Sequence, residues 1–553
     1  MYRLFNTHNV RKTIELSALW DFEAADANYK GKITVPSCWE CIPELVRYKG
    51  KAVYTKNAEF GGTVRFVFKG VSHTADVYLD GKHIKHHYNA YTPFSVDVTV
   101  EEGVHELKVE VDNAYYPEST LHKDNDYYTY GGIIRPMFIE KLDKAVVDYI
   151  HFTPYTEGGS WKAKVDVKIK NTTAKEQTVQ LDLLLGKDCF LSKTVALPAN
   201  EAVVLSEICG FDGVLPYSPK SPKLYEITAQ LYADGQLIDD LIDRVGFREI
   251  KCEGKKVLLN GEPLKLVGFN RHEDYNMLGS SVPLQAIMRD IALMKQSGAN
   301  AVRTCHYPND ETFLDVCDEL GLMVWEEEHA RGLKYEQMSR PEFIPQSLDC
   351  IDEMITEHHN HPSIFCWGIL NECESQSEHG RSCYQQLYDR IAELDPSRPK
   401  TSASNKYFKD ICFDLEEIVS INIYPGWYAT NDHFTPTGYL EALKEYAANN
   451  GGLNKPMIIS EVGAGGIYGY HTESMCKWSE ERQAEVLDMQ LTAILNDEDI
   501  MGVFVWQFAD CRVDEELFSS RPGCKNNKGV VDEYRRKKLA FAVTQKHFLP
   551  LTK

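Results

Sequence analysis

Ile364-Phe-Cys-Trp-Gly-Ile-Leu-Asn-Glu372 opens as a continuous apolar run, preceded by His361-Pro362 and too short for an isolated helix. Such a run reads as a strand buried on both faces, the kind found in parallel sheets. It ends on a polar pair, Asn371-Glu372. An unpaired carboxylate is costly to bury, so an Asn-Glu pair at the C-terminal end of a buried parallel strand points to chemistry rather than packing. Pro456-Met-Ile-Ile-Ser-Glu461-Val-Gly repeats the arrangement, with a second apolar strand ending on a carboxylate. A solvated loop position is the usual fate of a glutamate, but the repetition on two strands of one kind argues against it here. Two such strands can aim two carboxylates at one bond, which is the equipment of a glycosidase.

Outward from these strands, the chain from about residue 250 alternates apolar strands with amphipathic helices, the signature of a parallel α/β fold. Candidate strands are Leu264–Phe269, Ala301–His306, Leu322–Glu327, Ser363–Glu372, Lys400–Ser404, Val419–Tyr424, Pro456–Glu461 and Met501–Phe508. Helices are expected to start near Pro283, Asp310, Pro345, His379, Thr437 and Glu480, with a last one near Arg535. Eight strands with intervening helices fit a (β/α)8 TIM barrel over 250–553, whose strand ends form the site. Upstream, residues 1–145 carry short alternating runs such as Thr63-Val-Arg-Phe-Val-Phe and Ala75-Asp-Val-Tyr-Leu, the latter followed by the turn Asp80-Gly81. They read as a β-sandwich. Residues 146–249 repeat the style in Trp161–Ile169 and Val179–Leu185, and suggest a second, immunoglobulin-like sandwich.

A chain of 553 residues is too long for one core, and the three segments are the expected domains. With 82 acidic and 60 basic side chains the formal charge is −22, which argues against nucleic acid or an anionic membrane as a general partner. An anionic ligand would need a local basic pocket. The first residues, Met1-Tyr-Arg-Leu-Phe-Asn-Thr-His, lack an apolar core of signal-peptide length, and no run reaches transmembrane length. Fifteen cysteines without framework spacing suit reduced thiols. A soluble, cytoplasmic protein is therefore expected.

Four motifs in order, Gly268-Phe-Asn-Arg-His-Glu-Asp, Gly298-Ala-Asn-Ala-Val-Arg-Thr-Cys-His-Tyr-Pro, Trp367-Gly-Ile-Leu-Asn-Glu and Ile459-Ser-Glu461, resemble the family 2 glycoside hydrolases, the β-galactosidase and β-glucuronidase group. The resemblance spans essentially the whole chain. It implies a jelly-roll sugar-binding domain, an immunoglobulin-like domain and a catalytic barrel, with Glu372 as general acid/base and Glu461 as nucleophile. Retention of configuration would set the two carboxyls about 5–5.5 Å apart. To protonate the leaving oxygen Glu372 should have a raised pKa, from burial and from the neighbouring Glu461 charge. By the same resemblance Asn371 bonds the sugar 2-hydroxyl, Tyr424 bonds the nucleophile, and His306, Trp506 and Tyr428 are pocket walls.

Asn526-x-Lys528 resembles the signature by which β-glucuronidases hold the C6 carboxylate, and an amide with an ammonium on one loop suits an anion. Asp126, in Asp126-Tyr-Tyr-Thr-Tyr-Gly-Gly, matches the first-domain loop that reaches the active site. Arg521 is placed on the family's carboxylate-binding arginine, although the segment before Asn526 is one residue longer than in familiar glucuronidases. Arg331, in Glu326-Glu-Glu-His-Ala-Arg331, could approach the sugar near C4, the centre that separates glucuronate from galacturonate.

Other signals are set aside. Cys38-x-x-Cys41 has no βαβ context or second pair, so redox or zinc use is not expected. His358-His359-x-His361 and His83-x-x-His86-His87 are read as surface residues. Gly463-Ala-Gly465-Gly466 lacks dinucleotide spacing and is taken as a flexible strand exit. No cofactor or metal site is assigned. The expected activity is a retaining exo-β-hexuronidase acting on β-glucuronides or β-galacturonides. The alternatives are a neutral-sugar β-galactosidase or β-mannosidase, and a non-catalytic sugar-binding protein. The expected partner is a uronic-acid glycoside, with a homo-oligomer left open.

Overall fold

The stretch that ends on Glu372 is one of eight parallel strands in the computed structural model, which describes residues 2–428, 436–516, 518 and 520–552. They are β1 Leu266–Asn270, β2 Ala301–Arg303, β3 Met323–Glu327, β4 Ile364–Ile369, β5 Lys400–Ser402, β6 Val419–Asn422, β7 Met457–Val462 and β8 Ile500–Val505. Their hydrogen-bonded order is β5-β4-β3-β2-β1-β8-β7-β6. The ring closes where Ser404 bridges Ile421, with Ser404 N donating to Ser420 O (3.0 Å) and Asn422 N to Ser404 O (2.8 Å). The expected (β/α)8 barrel is thus present.

Besides a one-turn helix at Tyr335–Met338, the helices are α1 Leu284–Gln296, α2 Glu311–Leu320, α3 Phe343–His358, α4 Glu378–Leu394, α5 Pro436–Ala447, α6 Glu480–Leu495 and α7 Leu539–Thr552. Between β5 and β6 the helical link is reduced to a 3-10 turn at Tyr407–Lys409. Helix α2 illustrates the local logic. Asp310 caps it by accepting from Thr312 N (2.8 Å), and Gly321 ends it at φ 65°, a left-handed conformation that glycine adopts without penalty.

Inward-facing residues of the strands, among them Leu266, Met323, Trp325, Phe365, Ile458 and Phe504, form a buried interior cluster with Ile250, Val257 and Leu259 of a small meander at 250–263. Truncating one of its aromatics to alanine would cost about 3–5 kcal/mol. The other face of the strands packs on the helices through Val267, Phe269, Val324, Trp367 and Ile459. Strands buried on both faces explain why their sequences read as unbroken apolar runs.

The first domain is an antiparallel sandwich in which Lys51–Phe68 pairs with Phe94–Asp112 along most of its length. The Asp80-Gly81 turn has both residues at positive φ (48° and 78°) and joins Thr74–Leu79 to Lys82–Tyr88. The second domain packs a three-stranded sheet (Ala145–Glu157, Ser160–Asn171, Ala202–Phe211) on a four-stranded one (Gln177–Leu185, Asp188–Leu197, Tyr225–Ala233, Gln236–Val245). This is the immunoglobulin-like sandwich expected from its alternation.

Buried ion pairs fix the domains to one another. Arg135 of the first domain donates to Glu273 Oε2 (2.8 Å) and to Pro308 O (2.7 Å) of the barrel. Arg3 spans Glu311, Asp315 and Asp243. Docking of this kind brings the first-domain loop at 122–131 to the barrel mouth, where Tyr127 OH lies 3.0 Å from His329 Nε2.

The histidine clusters differ from expectation. His358, His359 and His361 are all buried, because each finds a partner beneath the surface. His358 Nδ1 meets Glu326 (3.0 Å), His359 Nε2 meets Thr153 Oγ1 (2.9 Å), and His361 Nδ1 meets Asp318 (2.5 Å). His87 is buried against Glu353, while His83 and His86 remain on the surface.

Candidate active site

Glu461 lies on β7 and Glu372 three residues beyond β4. The Glu461 carboxylate accepts from Arg303 Nη1 (3.0 Å) at Oε1 and from the Tyr424 hydroxyl (2.6 Å) at Oε2. Glu372 Oε1 accepts from Asn422 Nδ2 (3.0 Å), and its Oε2 lies 3.5 Å from Arg331 Nη2. The backbone at Glu372 is left-handed, φ 55°, as it is at Leu370, φ 36°. A non-glycine residue pays strain there, and such strain is held in place by surrounding bonds. Here Glu372 N donates to Ala403 O (2.8 Å) and Lys406 Nζ to Glu372 O (3.0 Å).

One hydrogen-bonded chain joins the two carboxylates. Arg303 donates to Glu461 and, through Nη2, to Asn371 Oδ1 (2.9 Å); Asn422 Nδ2 reaches both Asn371 Oδ1 (3.1 Å) and Glu372. This saturates the Asn371 carbonyl, whereas its buried Nδ2 has no partner. An orphaned amide donor in such a place is costly unless a ligand takes it up.

Burial and the neighbouring Glu372 charge push Glu461 up to about 7, against the pull of Arg303, Tyr424 and Arg331. The expectation had put the raised value on Glu372. The geometry places a raised value on Glu461, the more deeply buried of the two, its side chain 5% exposed against 15% for Glu372.

The remaining expected residues converge on the same mouth. His306 Nδ1 sits 2.8 Å from Glu327 Oε1 and its ring stacks on Trp506 (5.1 Å, 14°), while its buried Nε2 is unpartnered. Burial and the Arg303 charge hold this imidazole well below its ordinary pKa. It is therefore neutral, donating from Nδ1 and able to accept at Nε2. Lys528, almost fully buried, donates to the Tyr428 hydroxyl (2.7 Å) and lies 5.3 Å from the Tyr424 ring centre. Burial raises the Tyr428 phenol, but Lys528 and Arg521 overcome this and draw it below its usual value.

Asn526 is fully buried beside the Asp126 carbonyl, and its Oδ1 has no partner. Arg521 grips Asp126 in a two-pronged ion pair, Nε to Oδ1 at 3.1 Å and Nη2 to Oδ2. Both are thus at the site, but Arg521 is engaged with the first domain's carboxylate. Arg331, half-buried, faces Glu372, and the charges of Glu372, Asp126 and Glu461 offset the burial that would destabilise its cation.

Gly463 is not a flexible exit. A Cβ there would meet the Trp506 carbonyl at 2.3 Å, so the glycine permits close approach of β7 to the end of β8.

Sequence reasoning gave no role to Arg303, Glu327, Asn422 or His272. Arg303 and Glu327 are charged residues on buried parallel strands, the same signal that marked Glu372. Asn422 lies two residues before Tyr424 and so faces the same way. His272 has an unpartnered Nε2, a ring edge-on to Trp506 (5.4 Å), and a pKa pushed down to about 3 by burial and by Arg331 and Arg303.

Two groups among the described residues bring three metal-capable side chains together, His272-Cys305-His306 and Asp315-Asp318-His361. In the second, Arg3 and His361 already occupy the carboxylates. In the first, the Arg303 guanidinium 3.3 Å from His306 Nδ1 opposes a further cation. Neither is assigned a metal.

Family models match the chain in three consecutive parts: the glycosyl hydrolases family 2 sugar binding domain over residues 8–142, glycosyl hydrolases family 2 over 145–248, and the family's TIM barrel domain over 250–551. The chain belongs to glycosyl hydrolase family 2. This family 2 hydrolase is 47% identical to a GH2 β-galacturonidase from Eisenbergiella tayi whose crystal structure contains galacturonate, with 99% of each chain covered and a TM-score of 0.97. It is 26% identical to a β-glucuronidase of Sus scrofa, over 97% of this chain and 91% of that protein. It is 27% identical to a β-glucuronidase of Bacteroides fragilis, over 95% of this chain and 79% of that protein. The protein is a glycosyl hydrolase.

Proposed function

We propose that this family 2 hydrolase is a retaining exo-β-hexuronidase, releasing terminal β-galacturonides and β-glucuronides by double displacement. The observation that carries this reading is the charge balance of the pocket. Four cations, Arg303, Arg331, Arg521 and Lys528, face four carboxylates, Asp126, Glu327, Glu372 and Glu461. Acid catalysis needs one proton on the Glu372–Glu461 pair. With that proton in place this inner group of side chains carries one net positive charge. A uronate carboxylate neutralises it, whereas a neutral sugar leaves a buried cation uncompensated. Lys528 is the cation whose nearest partner is a phenol rather than a carboxylate, and Asn526 lies on the same loop.

In the reaction, ionised Glu461 attacks the anomeric carbon while Glu372 protonates the departing oxygen, giving a glycosyl-enzyme ester. Glu372 then takes a proton from water, which displaces Glu461. Arg303 and Tyr424 orient the nucleophile. The orphaned Asn371 amide donates to the 2-hydroxyl, and His306 and Trp506 wall the ring. Exo action is supported by the first-domain loop, whose Asp126–Arg521 pair lies across the pocket beside Asn526. Similarity to the Eisenbergiella tayi β-galacturonidase favours galacturonate as an accepted sugar, with Arg331 as the donor near C4. Fifteen free thiols among the described residues suit a reducing compartment such as the cytoplasm.

The test is a panel of nitrophenyl β-galacturonide, β-glucuronide, β-galactoside and β-glucoside. Turnover confined to the two uronides is expected, and preferred turnover of a neutral glycoside would overturn the reading.

A further inference from the structure

Three lysines from three separate elements converge on the acid/base side of the pocket. Lys123 comes from the first-domain loop, Lys334 from the segment after β3, and Lys406 from the segment after β5. Lys123 Nζ donates to Gly332 O (2.5 Å), Gly332 N donates to Asn371 O (2.7 Å), and Lys406 Nζ donates to Glu372 O (3.0 Å). Lys334 stands two residues beyond Gly332 and is exposed. The cations are therefore tied to the two segments, Asn371–Glu372 and Arg331–Lys334, that flank the general acid.

Among the described residues these three ammoniums bond to backbone carbonyls or to none, and no carboxylate forms an ion pair with them. What sets them apart is that the three gather at one place. Other half-buried or buried lysines of the first domain and barrel meet acids, as Lys69 does Glu311 and Glu357, Lys49 Asp514 and Lys538 Asp510, while Lys265 and Lys455 bond carbonyls singly, away from other cations of the pocket. The protein has 22 more acidic than basic side chains, so unpaired cations are not for want of partners. Burial lowers the Lys123 ammonium, and the like charges of Arg331, Lys334 and Lys406 lower it further. A cluster of like charges is unfavourable in itself and becomes favourable when an anion enters.

We infer that Lys123, Lys334 and Lys406 form an anion-binding subsite for the leaving group, so that the natural aglycone is an acidic sugar or phenol. The position decides which end of the substrate is read. Glu372 protonates the leaving oxygen, so charges fastened around its carbonyl lie on the aglycone side. The uronate of the cleaved sugar belongs to Lys528 and Asn526, which gather with Tyr428 and Asp126. The inference rests on the hexuronidase reading for the identity of the cleaved sugar only.

The experiment compares kcat/KM for umbelliferyl uronides that share one sugar and differ in the coumarin: 4-methyl (neutral), 3-carboxy and 3-sulfonate. Three exposed or half-exposed charges, each worth two- to fivefold, predict a preference of about tenfold or more for the charged coumarins at low salt. The preference should collapse at high ionic strength, as screening requires. In Lys123→Gln/Lys334→Gln it should fall to the two- to fivefold that Lys406 alone supplies, with the neutral substrate turned over as before, which also shows that the variant is folded. The carboxylate and sulfonate arms tell which anion the subsite favours. A wild-type preference for the neutral coumarin, or an unchanged ratio in the variant, would overturn the inference. The same three coumarins on β-galactose extend the test: if galactosides are cleaved and uronides are not, the hexuronidase reading fails, and the charged-to-neutral ratio still decides the subsite.

Discussion

Replacing Lys528 by methionine removes the one buried cation of the pocket that bonds a phenol instead of a carboxylate, and keeps most of the side chain's volume. Lys528 is 2% exposed, so a uronate held there is largely shielded from water. Truncating one partner of a buried, hydrogen-bonded charge pair costs about 2–5 kcal/mol. This converts to a loss in kcat/KM of roughly 30-fold to 5,000-fold on uronides. The fold should survive, because the orphaned Tyr428 hydroxyl belongs to a residue 37% exposed and can bond water instead. The assay is kcat/KM on nitrophenyl β-galacturonide and β-glucuronide beside the neutral β-galactoside. The uronides should lose activity by this factor while any galactosidase activity is kept or gains. Equal losses on charged and neutral sugars would show that Lys528 supports the site without reading the carboxylate.

Three further outcomes follow from the same geometry. Glu461→Gln should abolish turnover, whereas Glu372→Gln should spare activated nitrophenyl uronides and lose substrates with poor leaving groups; steady-state rates on aryl and sugar-linked uronides separate the two. Arg331→Ala should change the galacturonide-to-glucuronide ratio of kcat/KM by about ten- to a hundredfold, the worth of one hydrogen bond to the C4 hydroxyl; an unchanged ratio would remove Arg331 from the sugar. With Glu461 raised from 4.5 to about 7, activity should fall as pH drops below about 7. Because that folded-state value lies above the unfolded one, protonation of Glu461 supports the fold fully below about pH 4.5, and this support is lost as pH rises through about 7. Glu461→Gln should therefore melt higher than wild type at pH 8, with a smaller difference at pH 5; an equal difference at both would contradict it.

The barrel and its two strand-end carboxylates were legible because buried parallel strands leave an apolar run in the sequence and a polar residue at its end is conspicuous. Glu372 and Glu461 stood out for that reason, and Lys528 because a basic loop contrasts with an acidic chain. What could not be read was pairing. Arg521 meets Asp126 across 395 residues, and nothing in either segment announces the partner. The same holds for Arg303, whose guanidinium links Glu327, Asn371 and Glu461 from three other strands or strand ends. The raised pKa of Glu461 also depends on burial and pairing that only the fold supplies. His358, His359 and His361 looked like surface residues because their burial depends on acids and hydroxyls brought in from α2, β3 and the second domain.

The central claim, that a uronyl group is transferred to Glu461 before hydrolysis, is tested most directly by trapping the intermediate. The enzyme is incubated with 2-deoxy-2-fluoro-β-galacturonyl fluoride, digested, and the labelled peptide is located by mass spectrometry. One fluorouronyl group per chain is expected, on the peptide containing Glu461, with slow reactivation as the ester hydrolyses. A label on any other residue, or undiminished activity with no label at all, would contradict the account.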